Sequence, residues 1–124
     1  ALDIDRPVIA FELDLAALRD RAAPRARGLS RFPSVRRDLA FVVPETLSWA
    51  EIEATVRTAA GALLTDLQLF DRYAGKGVES GFKSLAMGLI LQEDSRTLTE
   101  RDVDVAVAAV SAALAAAHGA RIRG

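Results

Sequence analysis

The chain has 124 residues, 51% of them hydrophobic and 27% charged, with a net charge of −1 and no cysteine. That is the composition of one ordinary globular domain, and it excludes a disulfide framework, a thiolate metal site and a thiol nucleophile. No apolar run reaches the about 18 residues of a membrane helix; the Ala-rich stretch from Val103 to Ala117 is broken by Asp104 and Ser111. The opening "ALDIDRPVIA" carries no initiator Met and no secretion pattern, so it is read as a cut from a longer chain, while the lack of cysteine fits a cytoplasmic protein.

The first element expected is a short strand, Val8 to Leu15, running into a brief helical turn. "RAAPRARG" then reads as a basic linker, which places a domain boundary near Gly28. Residues 1–28 are too few for a core of their own, so they are assigned to the tail of a preceding domain plus the linker, and residues 29–124 to a separate domain. Seven arginines (Arg19, Arg21, Arg25, Arg27, Arg31, Arg36 and Arg37) crowd this region. Such a patch suits phosphates, and it equally suits a solvated linker paired with a neighbouring domain.

From Arg37 the periodicity is regular. "RDLAFVV" sets Leu39, Phe41 and Val43 on one face of a strand. "SWAE" is a capping box opening a helix over residues 49–60, with Ile52, Val56, Ala59 and Ala60 on its apolar stripe and Gly61 as its stop. "LLTDLQLFDRY" is a second strand, "GKGVESG" a hairpin loop, and "FKSLAMGLILQ" a third strand with Leu85, Met87, Leu89 and Leu91 buried. Thr99 caps a second helix with Glu100 and Asp102 in its first turn; Val103, Val107, Val110 and Leu114 form its stripe, Gly119 ends it, and "ARIR" is a last short strand.

The order β-α-β-β-α-β predicts an α+β, ferredoxin-like fold: a four-stranded antiparallel sheet with both helices on one face. The other face is left open, floored by Ala40 and Val42 on the first strand and by Ser84, Ala86 and Gly88 on the third. Simple alternation along the second strand would bury Asp71, which is costly. A bulge near Phe70 is therefore expected, with Phe70 turned inward and Asp71 outward.

No catalytic constellation is present. His118, the single histidine, stands at the end of the second helix, where it would cap carbonyls, and no second ligand accompanies it for a metal site. "GVESGFKS" lacks the spacing of a phosphate loop. "LFDRYAGKG", residues 69–77, is different. A carboxylate at Asp71 can accept two hydrogen bonds from a guanine edge, and the Tyr73 ring can stack on a splayed base. The plain alternative is an Asp that closes a turn and a Tyr that packs over a loop.

"SRFPSVRRDLAFVV", "LFDRYAGKG", "GFKSLAMGLILQ" and "RTLTERDV", in that order, resemble the C-terminal ferredoxin-fold anticodon-binding domain of the bacterial phenylalanyl-tRNA synthetase beta subunit. "FELDL" is similar to the end of the catalytic-like domain that precedes this module in that family. The resemblance implies a domain that is not an enzyme by itself but serves a ligase: it holds the anticodon stem-loop of phenylalanine tRNA while the alpha subunit aminoacylates with ATP and Mg2+. It further implies the rest of the beta subunit and the alpha subunit as partners, two of each in a heterotetramer, and no cofactor in this portion. Asp71 and Tyr73 match the acid and aromatic that engage the wobble guanine; Ala40 and Ser84 match positions approaching the anticodon bases. Arg36 and Arg37 are expected to contact phosphate. The reading from another class is a ferredoxin-like regulatory module that binds a small metabolite or a protein partner.

Overall fold

The computed structural model describes residues 5–19 and 28–123. A single turn of helix, α1 (Leu15–Arg19), is followed by β1 (Val35–Pro44), α2 (Trp49–Ala60), a 3-10 turn over Gly61–Leu63, β2 (Leu64–Tyr73), β3 (Phe82–Leu91), α3 (Glu100–His118) and β4 (Arg121–Arg123). From β1 onward this is the expected βαββαβ order. The sheet runs β2-β3-β1-β4, with every neighbouring pair antiparallel.

The expected strand from Val8 to Leu15 does not form. Residues 7–14 have no regular structure, and the Asp14 carboxylate accepts from the Ala16 amide at 2.8 Å to start α1. A strand needs a neighbour for its N–H and C=O groups, and none of the sheet's ladders includes these residues. Ile9 and Phe11 stand exposed. The proposed linker lies outside the described residues up to Gly28. The chain is tied down again at Ser30 to Phe32: Gln92 donates to the Phe32 carbonyl at 2.6 Å, and the Ser30 hydroxyl accepts from the Phe32 amide.

Both long helices start on local chemistry. The Ser48 hydroxyl accepts from the Glu51 amide while Glu51 reaches back to the Ser48 amide at 3.0 Å. Thr99 and Asp102 repeat the arrangement on α3, and Gly119 closes that helix in the left-handed conformation, φ 62°. One core lies between the helices and the sheet: Leu39, Phe41 and Val43 from β1, Leu85, Met87, Leu89 and Leu91 from β3, Ile52 and Val56 from α2, and Val103, Ala106, Val110 and Leu114 from α3. His118 does not cap carbonyls as expected; its Nε2 lies 2.8 Å from the Thr55 hydroxyl of α2, joining the two helices. The freed carbonyls of Leu114 and Ala115 are taken by the backbone amides of Ala120 and Gly119.

The irregularity of β2 falls where the buried carboxylate required it. Leu69 stands opposite Met87 and Asp71 opposite Ala86, so Phe70 is the extra residue of a bulge. A second shift, between Leu64 and Asp66, has no counterpart in the sequence reading. The bulge turns Asp71 to the open face, as expected. It does not turn Phe70 inward: the ring is 52% exposed and lies under the Arg36 guanidinium, 5.4 Å from its centroid. Leu69 keeps the register position opposite Met87 although it is itself 39% exposed, and Phe70, the inserted residue, has no partner across the ladder and lies against Arg36 instead.

Candidate nucleic-acid interface

Strand register maps the open face row by row. Tyr73, Ser84 and Val42 stand side by side across β2, β3 and β1; Asp71, Ala86 and Ala40 form the next row; Gln68, Gly88 and Asp38 the third. β4 extends the first two rows with Arg121 opposite Val42 and Arg123 opposite Ala40. The result is a shallow floor of small residues with an acid and a ring on one side and two arginines on the other.

Asp71 and Tyr73 are both exposed on the β2 side. The Tyr73 hydroxyl donates to the Lys76 carbonyl at 3.1 Å, and its ring lies against Gly75, where a Cβ would meet that hydroxyl at 2.8 Å. Gly75 thus lets the loop fold beneath the ring and hold it at a fixed angle, with the remainder of the ring open to solvent. Ala40 is half-buried in the floor. Ser84 is more covered than its place on an open face implied: it is 8% exposed, and its hydroxyl accepts from Arg123 Nη1 at 3.2 Å. These four residues are therefore brought together, with Ser84 reached by way of Arg123.

The two arginines of β1 part company, because successive side chains of a strand point to opposite faces. Arg36 lies across the open face, donating to Asp38 at 2.8 Å and to Gln68 at 3.4 Å. Gln68 in turn donates to Asp66 at 2.9 Å, a bond that holds the Asp66 carboxyl below its ordinary range. Arg37 points to the helix side and pairs with Glu100 at the start of α3. It is not on the face that carries Asp71 and Tyr73.

A family model for the ferredoxin-fold anticodon-binding domain matches residues 30–123. The chain belongs to this family. Among its relatives, the phenylalanine–tRNA ligase beta subunit of Xanthomonas campestris pv. campestris (strain 8004) is 66% identical over 124 residues, 100% of this chain and 16% of the relative. That of Xanthomonas euvesicatoria pv. vesicatoria (strain 85-10) is 67% identical over 123 residues, 99% of this chain and 16% of the relative. That of Xylella fastidiosa (strain Temecula1) is 60% identical over 122 residues, 98% and 15% respectively. The chain thus spans about one sixth of the curated relatives it matches, and the resemblance read from the four motifs holds along its whole length.

Three residues of this anticodon-binding domain's open face escaped sequence reading. Arg121 packs over the Phe82 ring at 4.9 Å and pairs with Glu79 at 2.9 Å, while Arg123 reaches Ser84. The alternation in "RIR" held the signal, but which face it serves depends on β4 pairing with β1. Phe70 is the third. On the opposite side, a concavity of about 580 Å³ between α2 and α3 is lined by Ala54, Thr55, Ala59, Ala113 and Ala117 among others. Its lining side chains are alanines and the two threonines Thr55 and Thr58. Among the described residues no three His, Cys, Asp or Glu side chains converge on a metal position, and no helix is long and apolar enough to cross a membrane.

Proposed function

We propose that the open face holds the anticodon stem-loop of phenylalanine tRNA, with Asp71 reading the wobble guanine and Tyr73 stacking on it. The observation that carries this reading is the juxtaposition of an exposed carboxylate and a loop-braced ring in adjacent rows, beside the low floor of Ala86 and Ala40. A carboxylate offers acceptors only, which suits guanine N1–H and its exocyclic amine together; adenine presents an acceptor at N1 and is repelled. Small floor residues let bases approach the backbone, and Ser84 supplies a hydroxyl once Arg123 moves to a phosphate. Phosphate contacts fall to the arginines: Arg36 and Arg123 from the face itself, Arg37 only by leaving Glu100. The carboxylates that Arg36 and Arg37 now pair with, Asp38 and Glu100, are exposed, and such ion pairs are worth little.

In this reading the domain serves a cytoplasmic ligase of two alpha and two beta subunits. Aminoacylation, with its ATP and Mg2+, takes place on the alpha subunit, and residues 1–28 join the domain to the rest of the beta subunit. The test is aminoacylation by the full ligase of tRNAs with guanine or adenine at the wobble position. Asp71→Asn puts a donor where guanine also donates, and it should lower kcat/KM for the guanine tRNA by about 1–3 kcal/mol while narrowing the gap to adenine. Tyr73→Ala should lose about as much on both. A purine preference left intact by Asp71→Asn would remove Asp71 from the recognition surface.

A further inference from the structure

We propose that Phe70 and Arg36 form a second base-stacking platform, which takes the unpaired nucleobase next to the one read by Asp71; the proposal rests on the reading of the open face given above. The bulge places Phe70 on that face with half of its surface in solvent. A lone exposed ring is ordinary on a protein surface, but this one stands beside a guanidinium, 5.4 Å from its centroid, on the face that also carries Asp71 and Tyr73. Asp38 and Gln68 accept from two of the guanidinium nitrogens, and Gln68 itself donates to Asp66.

Gly88 sets its attitude. A Cβ at that position would stand 3.0 Å from Arg36 Nη2 and 3.1 Å from its Cζ. With glycine there, the guanidinium lies close on the sheet, and the Arg36 side chain remains 48% exposed. Ring and guanidinium are thus two adjoining planar groups on the surface that carries Asp71, and both kinds of plane accept unpaired bases in RNA recognition.

Spacing agrees. At about 3.3 Å per residue, Phe70 lies within about 10 Å of Tyr73 along β2, so two neighbouring bases of one splayed loop can reach both rings. The ligand class is therefore an unpaired nucleobase of the same RNA. Its identity matters little at this platform, because every base has a π-face.

The experiment measures Kd of the full-length ligase for the anticodon stem-loop RNA, intact or with an abasic nucleotide at one or the other neighbour of the wobble position. Phe70→Ala should weaken the intact RNA about 5- to 150-fold, the range of one base–aromatic stack, and should have no effect on one of the two abasic RNAs. Phe70→Trp should restore binding, and Arg36→Lys, which keeps the charge but loses the plane, should weaken only the RNAs that Phe70→Ala weakens. Equal losses from Phe70→Ala on all three RNAs, or no loss on the intact one, overturn the platform. Asp71→Asn run alongside separates the two ideas: if it still lowers affinity for a guanine-bearing loop while Phe70→Ala is silent, the platform fails and the reading of Asp71 stands. If both are silent, the open face is not the RNA surface and both fail.

Discussion

Phe41 is the residue on which the strand register can be tested most directly. It is fully buried, with Leu85 beside it on β3 and Ile122 on β4. Phe41→Ala removes most of a side chain whose burial is worth about 1.5–3 kcal/mol. It also leaves a vacated volume of roughly 100 Å³, which at about 24 cal/mol per Å³ adds about 2 kcal/mol if the site does not collapse. The sum is about 4 kcal/mol, a large part of the about 5–15 kcal/mol that holds a domain folded. Phe70→Ala is the internal control, since the same chemical change at a half-exposed position two strands away should cost under about 1 kcal/mol. Urea unfolding followed by circular dichroism is the assay; with a slope near 1.5 kcal/mol/M the midpoint should fall by about 2–3 M for Phe41 and by less than about 1 M for Phe70. If Phe41→Ala costs under about 1 kcal/mol, or if the two variants cost the same, the division into a buried and an open face is wrong.

The helix caps make two further predictions. Ser48→Ala removes the acceptor for the Glu51 amide and should cost about 0.5–2 kcal/mol, read as a lower urea midpoint, with RNA affinity unchanged because α2 lies on the covered side of the sheet. Asp102 accepts from Arg96 and from the Thr99 hydroxyl and amide, which hold its carboxyl well below the ordinary range. A depressed folded pKa contributes stability that is complete above the unfolded value of about 4 and is lost as pH falls below it. Asp102→Asn should therefore flatten the dependence of melting temperature on pH between about pH 4 and 2, and an unaltered acid slope would show that Asp102 does not contribute to it.

Much of the fold could be read from residues close together in the chain. The two capping boxes span three residues each, the apolar stripes of α2 and α3 repeat at helical spacing, and β3 alternates without a break, so neighbours alone determine these elements. Even the bulge was legible, because burying Asp71 had no compensating partner. The placement of Asp71 and Tyr73 on the open face followed from that alone.

What only the tertiary structure decided depends on partners distant in sequence. Phe70 could go inward or outward until the β2–β3 register left it the unpaired residue of the bulge, lying against Arg36 of β1. Arg36 and Arg37 are neighbours in the chain, yet one lies over Gly88 and the other pairs with Glu100, 63 residues on. Lys83, buried at 9% exposure, is satisfied only by the Glu45 and Leu47 carbonyls of the β1–α2 loop, at 2.8 and 2.6 Å. The segment at residues 7–14 has the alternation of a strand and remains unpaired, because alternation marks which face a strand would bury but cannot supply a neighbour. Local pattern determines the elements and their faces, whereas the long-range pairings decide which side chains meet on those faces.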